Sequence, residues 1–152
     1  MRGDVIVRPV APSDRSAWLS MRVALWPDED SPDGHAREIE RFFDGGLSMP
    51  LAVLVAEIDD TPVGFVELSI RNYAEDCVTG NVAYLEGWYV VPEHRRRGVG
   101  RALIAASEDW GRAQGCTEFA SDAVAENADS ARAHAALGFT ETVMIRCFKK
   151  PL

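Results

Sequence analysis

Arg95-Arg-Arg-Gly-Val-Gly100 sets three guanidinium groups beside two glycines, two residues after the run Glu86-Gly-Trp-Tyr-Val-Val-Pro92 and, past Arg101, just before Ala-Leu-Ile-Ala-Ala-Ser-Glu-Asp-Trp110. Arginine offers fork-shaped donors that match phosphate oxygens. Gly98 and Gly100 let the backbone come close to an anion, and a helix that starts just after them presents N–H groups without intrahelical partners. A strand that empties through such a turn into a helix is built to hold phosphate. Neither G-x-x-x-x-G-K-[ST] nor G-x-G-x-x-G after a first strand occurs, so the two commonest nucleotide loops are excluded. Taken alone, the three arginines would be a solvated basic cluster or a nucleic-acid or membrane patch.

The elements that must position this turn follow from periodicity and punctuation. Val5–Pro9 reads as a first strand. Pro12-Ser-Asp14 opens a helix with Trp18, Met21, Val23, Leu25 and Trp26 at packing positions, stopped by Pro27. A second helix is expected from about Gly34 to Phe43, ended by Gly45-Gly46. Leu51–Ile58 and Val63–Ile70 form a hairpin across the four residues Asp59-Asp-Thr-Pro62. Asn72–Asn81 is a polar loop and Val82–Val91 a strand. Leu103, Ala106, Trp110 and Ala113 share one face of a helix from Arg97 to Gln114, closed by Gly115. Thr117–Ser121 is a strand, Asp129–Leu137 a helix ended by Gly138, and Thr140–Lys149 a final strand. The order β-α-α-β-β-β-α-β-α-β, antiparallel first and βαβα later, predicts an α/β fold with a mixed antiparallel and parallel sheet flanked by helices. The 152 residues suit one domain, 1–152.

Composition narrows the function class. The chain is 47% hydrophobic and 26% charged, with a net charge of −8, so nucleic acid is a poor partner for the surface as a whole. The longest apolar run, Leu51–Ala56, is far short of a membrane span of about 20 residues. The N-terminus lacks a signal-peptide core. Cys77, Cys116 and Cys147 form neither a disulfide framework nor a metal knuckle, which points to a reducing cytoplasm. His35 and His94 have no ligand-like partners and read as surface residues; no metal is expected. Asp28, Glu29, Asp30, Asp33, Glu38, Glu40 and Asp44 crowd one segment, either as a solvated face or as a field that attracts a polycation.

Arg95-Arg-Arg-Gly-Val-Gly100 resembles the [QR]-x-x-G-x-[GA] signature of the GCN5-related N-acetyltransferases. Tyr-Val-Val-Pro92 before it, an amphipathic helix after it, Asn127 and Ala-Leu-Gly-Phe139 also match, and the likeness covers nearly the whole chain. The resemblance implies acetyl-CoA as cosubstrate, held by Trp88, Tyr89, Val90, Arg96, Arg97, Gly98, Val99, Gly100, Arg101 and Asn127. Within the family, Leu25-Trp26, Ser69-Ile-Arg71, Leu85-Glu-Gly87, Cys116-Thr-Glu-Phe-Ala-Ser-Asp122 and Leu137-Gly-Phe-Thr-Glu-Thr142 resemble the aminoglycoside 6′-N-acetyltransferases. By that likeness Trp26, Tyr73, Glu86, Asp122 and Glu141 line a site for a polycationic aminoglycoside, and the chain forms a homodimer.

Acetyl transfer to an amine needs carboxylates to bind the ammonium, a base to take its proton, and a donor to polarise the thioester carbonyl, because an amine with a pKa near ~10 is mostly protonated at neutral pH. Asp122 is the first candidate for binding and deprotonation and Glu86 the second. Strand alternation places Glu86, Trp88 and Val90 on one face and Tyr89 on the other. The polarising N–H falls to Tyr89 or Val90. Relatives often carry a tyrosine three residues before the Leu-Gly-Phe leucine as acid for the thiolate; His134 stands there. Blander roles exist: Asp122 as a turn cap, Glu86 as an exposed strand position, Glu141 as a surface residue, Trp26 as core. The competing functions are acetylation of another amine, such as a polyamine or a peptide N-terminus, and a non-catalytic acetyl-CoA-binding module.

Overall fold

Runs of β-branched and aromatic residues need cover on both faces, and the architecture supplies it. A computed structural model describes residues 3–27, 32–46 and 49–152. Strands β1 (Ile6–Pro9), β2 (Ala52–Ile58), β3 (Thr61–Arg71), β4 (Val82–Val90) and β5 (Phe119–Ser121) form one sheet in that order. The first four are antiparallel and β5 joins β4 in parallel, the mixed sheet expected. Helices α1 (Arg15–Leu25), α2 (Pro32–Phe43), α3 (Val99–Ala113) and α4 (Ala128–Ala136) flank it. On one face Leu54, Ala56, Val66, Leu68 and Leu85 pack with Val99, Leu103 and Ile104 of α3. On the other, Val53 and Phe65 pack with Trp18 and Met21 of α1 and Ile39 of α2. Phe65, Val66, Leu68, Trp18 and Leu103 are each 0% exposed, and burial of such a side chain contributes roughly 1.5–3 kcal/mol.

Two expectations about the chain path need correction. The β2–β3 connection is two residues, Asp59 and Asp60, both at positive φ (50° and 62°), rather than the four residues Asp59–Pro62. That pair makes the primed turn whose twist suits a hairpin. Thr61 and Pro62 continue into the ladder opposite Ile58 and Glu57, beyond a register shift at Ala56/Glu57. The final strand over Thr140–Lys149 does not form. The segment lies exposed, with Val143 at 55%, Met144 at 76%, Ile145 at 61% and Phe148 at 90%. Its strand-forming residues pair with no strand among the described residues. Of the acidic run, Asp28, Glu29 and Asp30 lie outside the described residues.

A buried charge cluster joins α1 and α2 to the sheet. Glu67 of β3 is 3% exposed; it accepts a hydrogen bond from Trp18 Nε1 at 3.1 Å and lies 3.5 Å from Arg22 Nε. Arg22, itself 5% exposed, also pairs with Glu38 of α2 and sits over the Trp26 ring at 5.2 Å. Desolvation outweighs the opposing pull of Arg22 and pushes the Glu67 carboxyl up from 4.5 to about 7. The folded chain therefore holds a proton that the unfolded chain releases between those values. The stabilisation is complete below 4.5 and is lost as pH rises through about 7. A shift of that size corresponds to about 3 kcal/mol. In urea unfolding at about pH 5 and about pH 8, wild-type stability should fall relative to Glu67→Gln by up to that amount. Parallel pH dependences would show that Glu67 does not titrate in this way.

Candidate active site

The arginine and glycine turn has the geometry of an anion cradle. After the turn at Pro92–His94 the chain takes left-handed conformations at Arg96 (φ 61°) and Gly98 (φ 83°), and α3 begins at Val99. No side chain caps the helix, and the bond from Ala102 N–H to the Gly98 carbonyl, 3.0 Å, comes only after Val99, Gly100 and Arg101. Their N–H groups and the positive end of the helix dipole face the arginine turn. The two glycines serve different ends. Gly98 permits the positive φ, whereas a Cβ on Gly100 would stand 3.2 Å from the Trp88 ring. Trp88 is thus wedged against the first turn of α3.

Next to the cradle, β4 has an open edge. β5 pairs with β4 only over Ala83–Leu85, so β4 beyond Leu85 has no strand on that side among the described residues. Val91 N–H donates to the Val63 carbonyl at 2.9 Å. By antiparallel alternation Tyr89 then points its peptide groups at β3, while those of Trp88 and Val90 point to the open edge. Arg95 Nε donates to the outward Val90 carbonyl at 2.8 Å. Of the two candidates for a polarising N–H, only that of Val90 faces the open edge. An edge with alternating donors and acceptors, running into an anion cradle, fits an extended amide-bearing chain that ends in phosphates.

The two sides of this edge differ in chemistry. Across β3–β4, Glu67 faces Gly87 and Leu68 faces Leu85, so Glu86 is an extra residue, a bulge. Glu86 therefore does not share a face with Trp88 and Val90, as simple alternation expects. It stands with Tyr84, since Arg71 both pairs with Glu86 (Nε–Oε1 2.9 Å, NH2–Oε2 2.7 Å) and lies over the Tyr84 ring at 3.6 Å. One inserted residue reverses the alternation beyond it. Tyr84 donates its hydroxyl to Asp122 Oδ2 at 2.6 Å. Burial first, and then this bond, raise the Tyr84 phenol well above its usual value, so it remains a donor. Trp26, the C-cap of α1, lies over Gly87, where a Cβ would come within 2.7 Å of its ring. It also stacks on His35 at 6.4 Å. His35 is 2% exposed, so it is a buried support for Trp26 and not the surface residue expected.

Trp26, Glu86 and Asp122 thus gather on one side, with Arg71 and Tyr84 added by the fold. Arg71 uses one lone pair on each Glu86 oxygen, leaving others for a ligand, and Tyr84 leaves Asp122 Oδ1 free of that bond. Such a surface can hold an ammonium group against an aromatic ring. Tyr73 is 66% exposed, in a loop that Glu118 pins by accepting from Val78 N, Thr79 N and Thr79 Oγ1 at 2.7–3.1 Å. Glu141 is exposed at the root of the C-terminal segment. Neither is drawn into the cluster. Asn127 caps α4, its side chain accepting from Ser130 N at 3.0 Å. Arg71 and Tyr84 escaped assignment because their meeting with Glu86 and Asp122 depends on pairing across a ten-residue loop; the one local signal is Tyr84 two residues before Glu86.

Comparison with known proteins agrees with this geometry. The model of the acetyltransferase (GNAT) family matches residues 17–139. The chain is 54% identical to an aminoglycoside N(6′)-acetyltransferase type 1 of Klebsiella aerogenes, over 100% of both chains. It is 38% identical to a protein of the same name from Stenotrophomonas maltophilia, over 96% of this chain and 93% of that one. Among solved structures, AAC(6′)-Iy in complex with the bisubstrate analog CoA-S-monomethyl-acetylneamine superposes with a TM-score of 0.88 at 35% identity, over 98% of this chain and 99% of that one. The chain belongs to the GNAT family of acetyltransferases.

Proposed function

We propose that this protein transfers the acetyl group of acetyl-CoA to the 6′-amine of aminoglycosides. The observation that carries the reading is the pair of carboxylates, Glu86 and Asp122, beside Trp26 at the open edge of β4, in a chain with full-length likeness to aminoglycoside N(6′)-acetyltransferases. The cradle at Arg96, Arg97, Gly98, Val99, Gly100 and Arg101 holds the phosphates. Trp88 and Val90 offer peptide groups to the amide-bearing arm, and Val90 N–H polarises the thioester carbonyl. Tyr89 lies behind this edge, and Asn127 contributes from the start of α4. On the acceptor side Trp26 packs on a sugar ring. Asp122 binds the reacting ammonium through Oδ1 and passes its proton to solvent. Glu86, held by Arg71, binds a second amino group, and Tyr73 and Glu141 complete the drug site from its rim. The activity places the protein in the cytoplasm, where acetyl-CoA is made, consistent with three free cysteines.

We also infer a homodimer. Thr140–Lys149 exposes a row of large apolar side chains outside any helix or strand, and a second copy offers the same unpaired segment in return, the self-complementary arrangement of a two-fold interface. Glu141 lies at the root of this segment, so dimer formation fixes its place against the drug.

Thiol release from acetyl-CoA should rise on addition of kanamycin or tobramycin, with the product acetylated at the 6′ nitrogen; a response confined to spermidine or a peptide would transfer the activity to another amine. Asp122→Asn should lower kcat by about 100-fold while leaving acetyl-CoA affinity within about two-fold. Wild-type turnover in that variant would remove Asp122 from the mechanism. Deleting residues 140–152 should convert a dimer to a monomer in sedimentation velocity, and an unchanged mass would place the interface elsewhere.

A further inference from the structure

On the side of the β4 edge away from the carboxylates, His134 of α4 reaches Ser121, the last residue of β5. Nε2 lies 2.8 Å from Ser121 Oγ. Nδ1 lies 2.7 Å from the Ser130 carbonyl oxygen and 3.3 Å from Ser130 Oγ. A carbonyl only accepts, so Nδ1 carries hydrogen and Nε2 is the atom at which the ring gains or loses a proton. The ring is held edge-on by Trp88 at 5.3 Å and by Phe139 at 5.1 Å. Ser121 from β5, Ser130 from α4, Trp88 from β4 and Phe139 after α4 are all uncharged. Ser121 pairs with Leu85, the last β4 residue before the edge opens, and its Oγ is 3.4 Å from the Leu85 carbonyl oxygen. The hydroxyl therefore stands where β5 gives way to the proposed path of the thioester.

We propose that Ser121 donates the proton that the departing thiolate takes up, and that His134 is the positioning residue that recharges it. This rests on the acetyl-transfer reading. As the amine nitrogen bonds to the acetyl carbon, the C–S bond breaks and its electron pair stays on sulfur. The Ser121 hydroxyl proton passes to sulfur, and the imidazolium proton on Nε2 passes to Ser121 Oγ. CoA leaves as the thiol, Ser121 is regenerated, and neutral His134 keeps Nδ1–H and takes a new Nε2 proton from solvent. The surplus proton of the amine departs on the other face, by Asp122. The sheet thus separates the base from the acid, so neither quenches the other. Because His134 Nε2 is already directed at Ser121, the imidazole acts through the hydroxyl and not on sulfur directly.

The test is kcat and KM against pH for wild type, His134→Gln, Ser121→Ala and Ser121→Thr, on whichever amine the wild type turns over best from a panel of aminoglycosides, spermidine and a peptide. His134→Gln and Ser121→Ala should each lower the maximal kcat about tenfold, with KM for acetyl-CoA unchanged. The loss is smaller than usual for general acid catalysis because a thiolate with a pKa near ~8.5 leaves partly unaided. The kcat profile of His134→Gln should lose a limb that the wild type shows. Ser121→Thr, which keeps the hydroxyl, should recover most of the kcat lost in Ser121→Ala. A His134→Gln profile superposable on wild type, or equal losses in Ser121→Thr and Ser121→Ala, would overturn the relay. Failure of the aminoglycoside reading would appear separately, as the choice of acceptor by the wild type.

Discussion

The site depends on one event in the sheet: β4 loses its neighbour after Leu85. Up to that residue the strand is hydrogen-bonded on both sides, to β3 and to β5. Beyond it, the outward peptide groups of Trp88 and Val90 face no strand among the described residues, and unpaired backbone groups at a sheet edge invite an extended ligand. β5 is only three residues long and ends at Ser121. The gap also separates two chemistries, carboxylates on the α1 and α2 face and the Ser121–His134 pair on the α3 and α4 face.

The bulge at Glu86 sits at the same point and has a second effect. Glu86 keeps the face of Tyr84, where it reaches Arg71, and the extra residue turns Trp88 and Val90 to the opposite face, where they pack with α3. The bulge also puts Gly87 under Trp26, and the missing Cβ lets the indole lie directly on the strand. Helix α1 is fixed from below by Trp18 and Arg22 on Glu67, so the Trp26 wall is held by a buried charge cluster as well as by apolar contact. Removing one member of such a cluster would leave another buried without its partner.

The proposed acetyl transfer needs an anion and a cation within one cleft. The chain keeps them apart by topology. Backbone N–H groups and exposed arginines collect at the N-terminus of α3, and the carboxylates collect on the far side of β4. The Arg71–Glu86 pair tempers the acidic side, and Tyr84 stays protonated because burial and Asp122 both oppose its ionisation.

Local chemistry was enough to read the arginine and glycine turn and the mixed sheet from the sequence, whereas the carboxylates were singled out by family resemblance. Gly98 at positive φ, a helix starting at Val99, and alternating apolar strands are all set by residues close to one another in the chain. Three things were not legible, each because it depends on which strand residue faces which. The separation of Glu86 from Trp88 and Val90 follows from a bulge that only the β3–β4 register reveals. The partners Arg71 and Tyr84 are brought together across a ten-residue loop. The fate of Thr140–Lys149 turns on whether a sheet edge is within reach, and strand propensity says nothing about that. The sequence determined what each segment can do; tertiary structure decided what each side chain meets, because pairing register and edge availability are long-range properties of the folded sheet.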